Sequence, residues 1–209
     1  MTVDKVEIPR KAIYRISIYS RCLRRLSEKG IETVSSSALA SAAGVKPAQL
    51  RKDLGYFGQF GTRGLGYPVE VLLKTFREVL GRATLQPVIL VGAGNLGRAL
   101  LRYEGFLKEG FEVLGAFDKK AEAIDTSRVP VPVYPDTEMV NFIKENHVRM
   151  AILCVPAEFG QGVANTLVEA GVQGILNFSP TILQVPENVV VTRVDLAMEL
   201  ENLSFFIDQ

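Results

Sequence analysis

The run Val88-Ile89-Leu90-Val91 passes without a break into Gly92-Ala93-Gly94-Asn95-Leu96-Gly97, and Leu96–Tyr103 then reads as a helix. A G-x-G-x-x-G string alone specifies little. Placed between a buried strand and a helix, it is a dinucleotide-binding fingerprint. Gly92 permits the tight turn, Gly94 lets a pyrophosphate approach the backbone, and Gly97 lets the helix close on the strand. The helix start offers free N–H groups to phosphate. Gly92, Ala93, Gly94, Asn95, Leu96 and Gly97 are therefore candidate cofactor-binding residues, joined by Val155 and Pro156 at the end of a later strand. Asp118 lies 21 residues after Gly97, at the end of the next strand, where a carboxylate would accept from ribose hydroxyls. Lys119 and Lys120 would attract a 2′-phosphate that Asp118 would repel, and the balance favours NAD over NADP.

From Pro87 onward strands and helices alternate. Strands are expected at Glu112–Phe117, Val131–Tyr134, Met150–Val155, Gly174–Asn177 and Val189–Val191, and helices at Asp136–Glu145 and Glu158–Ala170. This is the pattern of a parallel sheet with helices on both faces. The tail from Asp195 to Ile207, apolar at Leu196, Leu200, Leu203 and Ile207, is an amphipathic helix with no strand after it. Such a helix needs a partner surface, which a homodimer supplies.

A nucleotide fold does not make an enzyme. Hydride transfer usually needs a nearby acid/base. The single histidine, His147, falls in a polar turn, and no Tyr-x-x-x-Lys pair occurs in the second half. No catalytic residue is assigned, and the chain is read as a non-enzyme.

The 209 residues carry a net charge of only +1, but the two halves differ in sign. Residues 1–82 hold 15 Lys+Arg against 7 Asp+Glu, whereas 83–209 hold 9 against 16. Two domains with different partners are implied, the basic one suited to a polyanion. No apolar run approaches the ~20 residues that span a bilayer. The N-terminus has no signal-like apolar region, and Cys22 and Cys154 form neither a disulfide framework nor part of a zinc cluster. The chain reads as cytoplasmic, metal-free and without a membrane partner. Cys154, on the cofactor edge of the sheet, is either a thiol sensor or an inert buried thiol.

In the basic half, apolar residues at Ile13, Ile16, Tyr19, Leu23 and Leu26 mark a first helix over Pro9–Lys29. A second helix starts at Ser35–Ser37 and ends at Gly44, and a third has Pro47 in its first turn and Leu50, Leu54 and Phe57 along one side. A short helix, a Gly turn and another helix make a helix-turn-helix. Four glycines between Gly58 and Tyr67 suit a β-hairpin, the wing of a winged helix. Val69–Leu80 closes the domain, and Gly81–Gln86 is the linker. Gln49, Arg51 and Lys52 offer donors opposite the apolar side of the third helix, with Lys46 at its start. Arg and Gln read guanine and adenine edges, while Lys mostly holds phosphate. Tyr56 is counted with them, and Arg63 at the wing tip would suit a minor groove. Two such domains in a homodimer would meet two half-sites of palindromic double-stranded DNA.

Arg51-Lys52-Asp53-Leu54-Gly55-Tyr56-Phe57-Gly58, Gly61–Tyr67, Val91–Leu100, Gly174–Pro180 and Val194-Asp195-Leu196 closely resemble the Rex family of redox-sensing transcriptional repressors, from about Ile8 to the C-terminus. The resemblance implies a homodimeric winged-helix repressor that senses the NADH/NAD⁺ ratio, with NAD⁺ permitting operator binding and NADH releasing it. It also implies a C-terminal helix exchanged between subunits. Arg15, Tyr103 and Asp195 stand where the family places a switch network of arginine, tyrosine and aspartate. Leu196 departs from members that carry Phe beside that aspartate. The expected architecture is α/β: an N-terminal winged helix-turn-helix domain (1–82) and a C-terminal Rossmann domain (83–209) ending in a domain-swapped helix. Two other functions fit parts of the pattern. One is a small NAD-dependent oxidoreductase; the other is a DNA-binding protein whose Rossmann domain takes coenzyme A, against which Asp118 argues.

Overall fold

A computed structural model describes residues 8–61, 65–81 and 84–207. Contacts divide the chain into two compact units that meet between Thr84 and Leu85.

In the first unit, Pro9 precedes helix α1 (Arg10–Glu28). Its Ile16, Tyr19 and Leu23 are fully buried, at the spacing that puts them on one helical face. Strand β1 (Thr33–Val34) leads to α2 (Ser36–Ala42), whose start is fixed by the Ser35 hydroxyl accepting the Ala38 N–H at 3.0 Å. Gly44 turns the chain with a φ of 66°, a region open to glycine at little cost. Helix α3 (Pro47–Gly55) follows at once with proline in its first turn. Strand β2 (Tyr67–Pro68) pairs antiparallel with β1, and α4 (Val69–Val79) closes the unit. Leu50, Leu72 and Phe76 join the α1 residues in one core; each fully buried large apolar side chain contributes roughly 1.5–3 kcal/mol.

The expected hairpin over Gly58–Tyr67 needs correction. Gly58–Gly61 forms no strand, and β2 pairs across to Thr33–Val34. The tip, with Arg63, lies outside the described residues.

The second unit runs β3 (Gln86–Val91), α5 (Asn95–Leu101), α6 (Gly105–Lys108), β4 (Phe111–Asp118), β5 (Val133–Pro135), α7 (Met139–Glu145), β6 (Met150–Leu153), α8 (Ala157–Ala170), β7 (Gly174–Asn177), β8 (Val190–Arg193) and α9 (Leu196–Ile207). Several boundaries move. Gln86 belongs to β3 rather than to a linker, α5 stops two residues early, and the first turn of the expected Asp136 helix is 3-10. The six strands are parallel in the order β5-β4-β3-β6-β7-β8. That is the doubly wound order in which the chain reverses direction across the sheet between β3 and β6.

Helices α7 and α8 cover one face, where Ile89, Phe117, Ile143, Leu153 and Leu167 are buried together. Among the described residues of this unit, the other face carries α5, α6 and the segment with Ile124, Val129 and Val131. Right-handed crossovers from β6 through β7 to β8 run on the α8 side, so among the described residues of this unit no helix covers the opposite face there. A cavity of about 350 Å³, lined by Phe106, Met150, Ile152, Leu176 and Val190 among others, opens against it. Helix α9 has no buried residue. Leu196, Leu200, Leu203 and Ile207 are exposed as one stripe, but so are Met198 and Phe205, about 180° around a helix that turns 100° per residue. The tail is therefore apolar on two sides rather than amphipathic.

Candidate functional site

Parallel strands leave a crevice beyond their carboxyl ends where the strand order reverses. Here that crevice holds a cleft of about 620 Å³. The turn after β3 forms one wall and the residues after β6 the other.

The glycines divide by what surrounds them. Gly92 has a φ of 96°, and a Cβ there would lie 2.6 Å from the Cys154 carbonyl oxygen. A Cβ at Gly97 would lie 2.0 Å from the Gly92 carbonyl oxygen, so this glycine closes the turn on itself as well as packing near Leu90. A Cβ at Gly94 would meet nothing within 4 Å, and Gly94 lines the cleft. Two glycines build the turn. The third leaves open the space in front of it.

Asp118 ends β4 beside this turn. One carboxylate oxygen accepts the Ala93 N–H at 2.8 Å and the other accepts the Lys120 N–H at 2.8 Å. The side chain is thereby fixed at the cleft, and each oxygen keeps one lone-pair direction free. Gly92, Gly94, Asn95, Leu96, Asp118, Val155 and Pro156 line the cleft, while Ala93 and Gly97 stand behind it, buried. Asp136, Phe159 and Val163 also line it and had no local signal in the sequence. The Lys119 ammonium lies 4.5 Å from the centre of the Phe159 ring, a cation–π contact joining β4 to α8. Cys154 lines the cleft as well; burial pushes its thiol up to about 12, which leaves it protonated and unreactive at neutral pH. His147 is exposed, just past α7. Among the described residues no group of three His, Cys, Asp or Glu could hold a metal, and no helix is long and apolar enough to cross a membrane.

In the first unit, Arg51 and Lys52 are exposed on α3, Lys46 is exposed just before it, and Tyr56 follows it half-buried. One Arg51 guanidinium nitrogen donates to the Ser36 hydroxyl at 3.3 Å. Gln49 is not a free donor on the face opposite the core: its amide nitrogen donates to Asp53 Oδ1 at 2.8 Å. Asp53 is fully buried. It also accepts Arg15 Nε at 2.6 Å, Arg15 Nη2 at 2.7 Å and the Tyr19 hydroxyl at 2.8 Å. Burial alone would push this carboxyl up; the hydrogen bonds from Arg15, Tyr19 and Gln49 outweigh it and hold it below the ordinary value. The same burial, with the bond to Asp53, pushes the Tyr19 phenol up.

The three expected switch residues are each engaged within their own unit. Arg15 is held by Asp53. Asp195 binds Arg193 Nη2 at 2.5 Å and accepts the Ala197 and Met198 N–H groups at the start of α9. The Met198 N–H, with Arg193 and Ala197, keeps its carboxyl below the ordinary value. Tyr103 is exposed and packs edge-on against Phe106 at 5.1 Å.

Residues 7–55 match the family model described as putative DNA-binding protein N-terminus, and residues 84–181 match that of the CoA binding domain. The chain is 48% identical over 201 residues to the redox-sensing transcriptional repressor Rex of Carboxydothermus hydrogenoformans, covering 96% of this chain and 97% of that protein. It is 42% identical to Rex of Lactobacillus gasseri, over 99% and 96%. Among solved structures, RSP in complex with β-NAD⁺ and operator DNA matches with a TM-score of 0.89 at 35% identity, over 96% of this chain and 93% of that one. RSP in complex with β-NADH matches with a TM-score of 0.85 at 33% identity, over 97% and 95%.

Proposed function

The chain belongs to the Rex family of redox-sensing transcriptional repressors, and we infer from this, together with its cleft, that it binds operator DNA and releases it when NADH fills the cleft. The observation that carries the reading is the turn in which Gly92 and Gly97 have no room for a side chain, Gly94 faces open space and Asp118 is pinned alongside. These residues fit a dinucleotide. Gly94 and Asn95 would face its pyrophosphate, Asp118 its adenosine ribose, and Val155 and Pro156 would close the far wall. Asp118 disfavours a phosphorylated ribose, which applies to coenzyme A with its 3′-phosphate as much as to NADP. The cofactor supplies a ring whose charge and planarity change on reduction; the protein binds it and transmits that difference.

In this reading residues 1–82 bind DNA through Lys46, Gln49, Arg51, Lys52, Tyr56 and Arg63, and residues 83–209 bind the cofactor and dimerise. The tail helix α9, apolar on two sides, suits a position between two surfaces of a second copy, and the bare sheet face over β6–β8 supplies a further apolar patch. A homodimer would present two reading helices to a palindromic operator. The protein would act in the cytoplasm, where operator DNA and NADH are both present. Arg15, Tyr103 and Asp195 form the switch: Asp195 pairs with Arg15 in one state and with Tyr103 in the other.

The test is operator binding by the full-length protein during separate titrations with NADH, NAD⁺ and coenzyme A. Release by NADH and retention with NAD⁺ support the reading. Release by coenzyme A but not by NADH overturns it.

A further inference from the structure

Asp53 is the one buried charged residue among those described. A carboxylate offers about four lone-pair directions, and here all four are taken: Oδ2 by Arg15 Nε and the Tyr19 hydroxyl, Oδ1 by Arg15 Nη2 and the Gln49 amide. Arg15 and Tyr19 are one turn apart on α1, and Gln49 and Asp53 one turn apart on α3. The cluster therefore ties the first helix to the third at a single buried charge.

This tie fixes the orientation of the Gln49 amide. Only the NH2 end of an amide donates to a carboxylate, so the contact at 2.8 Å fixes the orientation of the group. One N–H is used. The second N–H and the carbonyl oxygen remain, and with the anti N–H engaged by Asp53 they are the adjacent donor and acceptor an amide needs to meet N7 and N6 of adenine in the major groove. Arg15 matters to the same geometry because it neutralises Asp53. If Arg15 is drawn away, a buried carboxylate loses its counter-charge, which is strongly unfavourable, and its grip on Gln49 changes with it.

We propose that Asp53 is a positioning residue for DNA reading: it orients the Gln49 amide toward an adenine and carries the state of Arg15 to the reading helix. The inference rests on the reading that α3 contacts DNA bases, and it identifies the group through which the switch reaches them. A purely structural tie would lower affinity for every sequence alike. An orienting tie alters preference at one base pair.

The experiment selects duplexes from a randomised pool with the full-length protein and with single variants. Gln49→Ala identifies the base pair read by Gln49, where adenine preference falls from the roughly 5- to 150-fold expected of a bidentate contact toward none. Asp53→Asn and Arg15→Gln are expected to lose preference at that same base pair and keep it elsewhere, and Asp53→Asn combined with Gln49→Ala is expected to match Gln49→Ala. If circular dichroism shows Asp53→Asn unfolded, Tyr19→Phe, which removes one bond to Oδ2, is expected to give a partial loss at that position. Uniform weakening across all sequences, or a loss at a different base pair, overturns the proposal. A protein that selects a sequence which Gln49→Ala leaves unchanged also overturns it, while the DNA-binding reading stands. A parent protein that selects no sequence overturns the DNA-binding reading itself.

Discussion

The Ala93 N–H donates to Asp118 Oδ2 at 2.8 Å, so the glycine turn and the Asp118 carboxylate form one preassembled unit. Ala93 belongs to the turn after β3, and Asp118 ends the neighbouring strand. Asp118→Ala should weaken NADH binding by about ten- to a hundredfold, because it removes the proposed ribose acceptor, a charge-assisted bond of about 1.5–3 kcal/mol, and loosens the turn it anchors. Fluorescence titration measures this. A variant that bound NADH as the parent does would place the ribose elsewhere.

Gly97→Ala and Gly94→Ala should fail in different ways. A methyl group at 97 meets the Gly92 carbonyl oxygen at 2.0 Å, so the turn must open, and both the melting temperature and NADH binding fall. A methyl group at 94 meets nothing, and the backbone there, with φ −67°, accepts any residue. Gly94→Ala should melt as the parent does yet bind NADH more weakly, because the methyl enters the space expected for pyrophosphate. Equal melting temperatures for both variants would contradict this division.

These glycines were legible because the constraint is local: strand, turn and helix are contiguous, and the steric rule is short-range. The failures were long-range. Strand β1 is two residues long and exists only through its pairing with Tyr67–Pro68, so no periodicity marks it. Asp136, Phe159 and Val163 reach the cleft through the strand order of the sheet. Asp53 did carry a signal, since with Leu50, Leu54 and Phe57 it falls on one helical stripe, where a charge calls for a buried partner. Two of its partners, Arg15 and Tyr19, sit on another helix. The tail helix was read from one stripe, Leu196 to Ile207, while Met198 and Phe205 on its opposite side were passed over.

The Asp53 cluster predicts how stability depends on pH. Its carboxyl is held below the ordinary value of 3.8. The unfolded chain therefore takes up the proton first as pH falls; the contribution is complete above 3.8 and is lost as pH drops below it, toward the folded value. Asp53→Asn should cost about 3 kcal/mol at neutral pH, the lower end for a broken buried pair because Arg15 is partly exposed. It should also lack this part of the acid loss, so the two stability curves converge in acid. Urea unfolding between neutral pH and pH 3 tests this. Parallel curves would show that Asp53 is not the titrating group.

Removing residues after Asp195 should abolish the proposed dimer. Seven large apolar side chains of α9, from Leu196 to Ile207, are exposed, a burden that a helix carries only when both sides are covered. Light scattering on the truncated chain should give monomers or aggregates. A truncated chain that stayed dimeric and bound operator normally would assign the interface to the bare face of the sheet.

Separating NADH binding from its consequence tests the switch. A ligand shifts an equilibrium only through its differential affinity for two states, and a hundredfold preference supplies about 2.7 kcal/mol. Arg15 is engaged by Asp53, and Asp195 by Arg193 and the start of α9, so the proposed pairing of Arg15 with Asp195 competes with contacts already present. Asp195→Ala and Tyr103→Phe should bind NADH with near-parental affinity, because neither residue lines the cleft at the glycine turn, yet need far more NADH to leave the operator. Arg193→Ala frees Asp195 from its nearest rival and should shift the release midpoint without touching the cleft. If all three variants released operator at the parental NADH concentration, Asp195 would have no part in the switch.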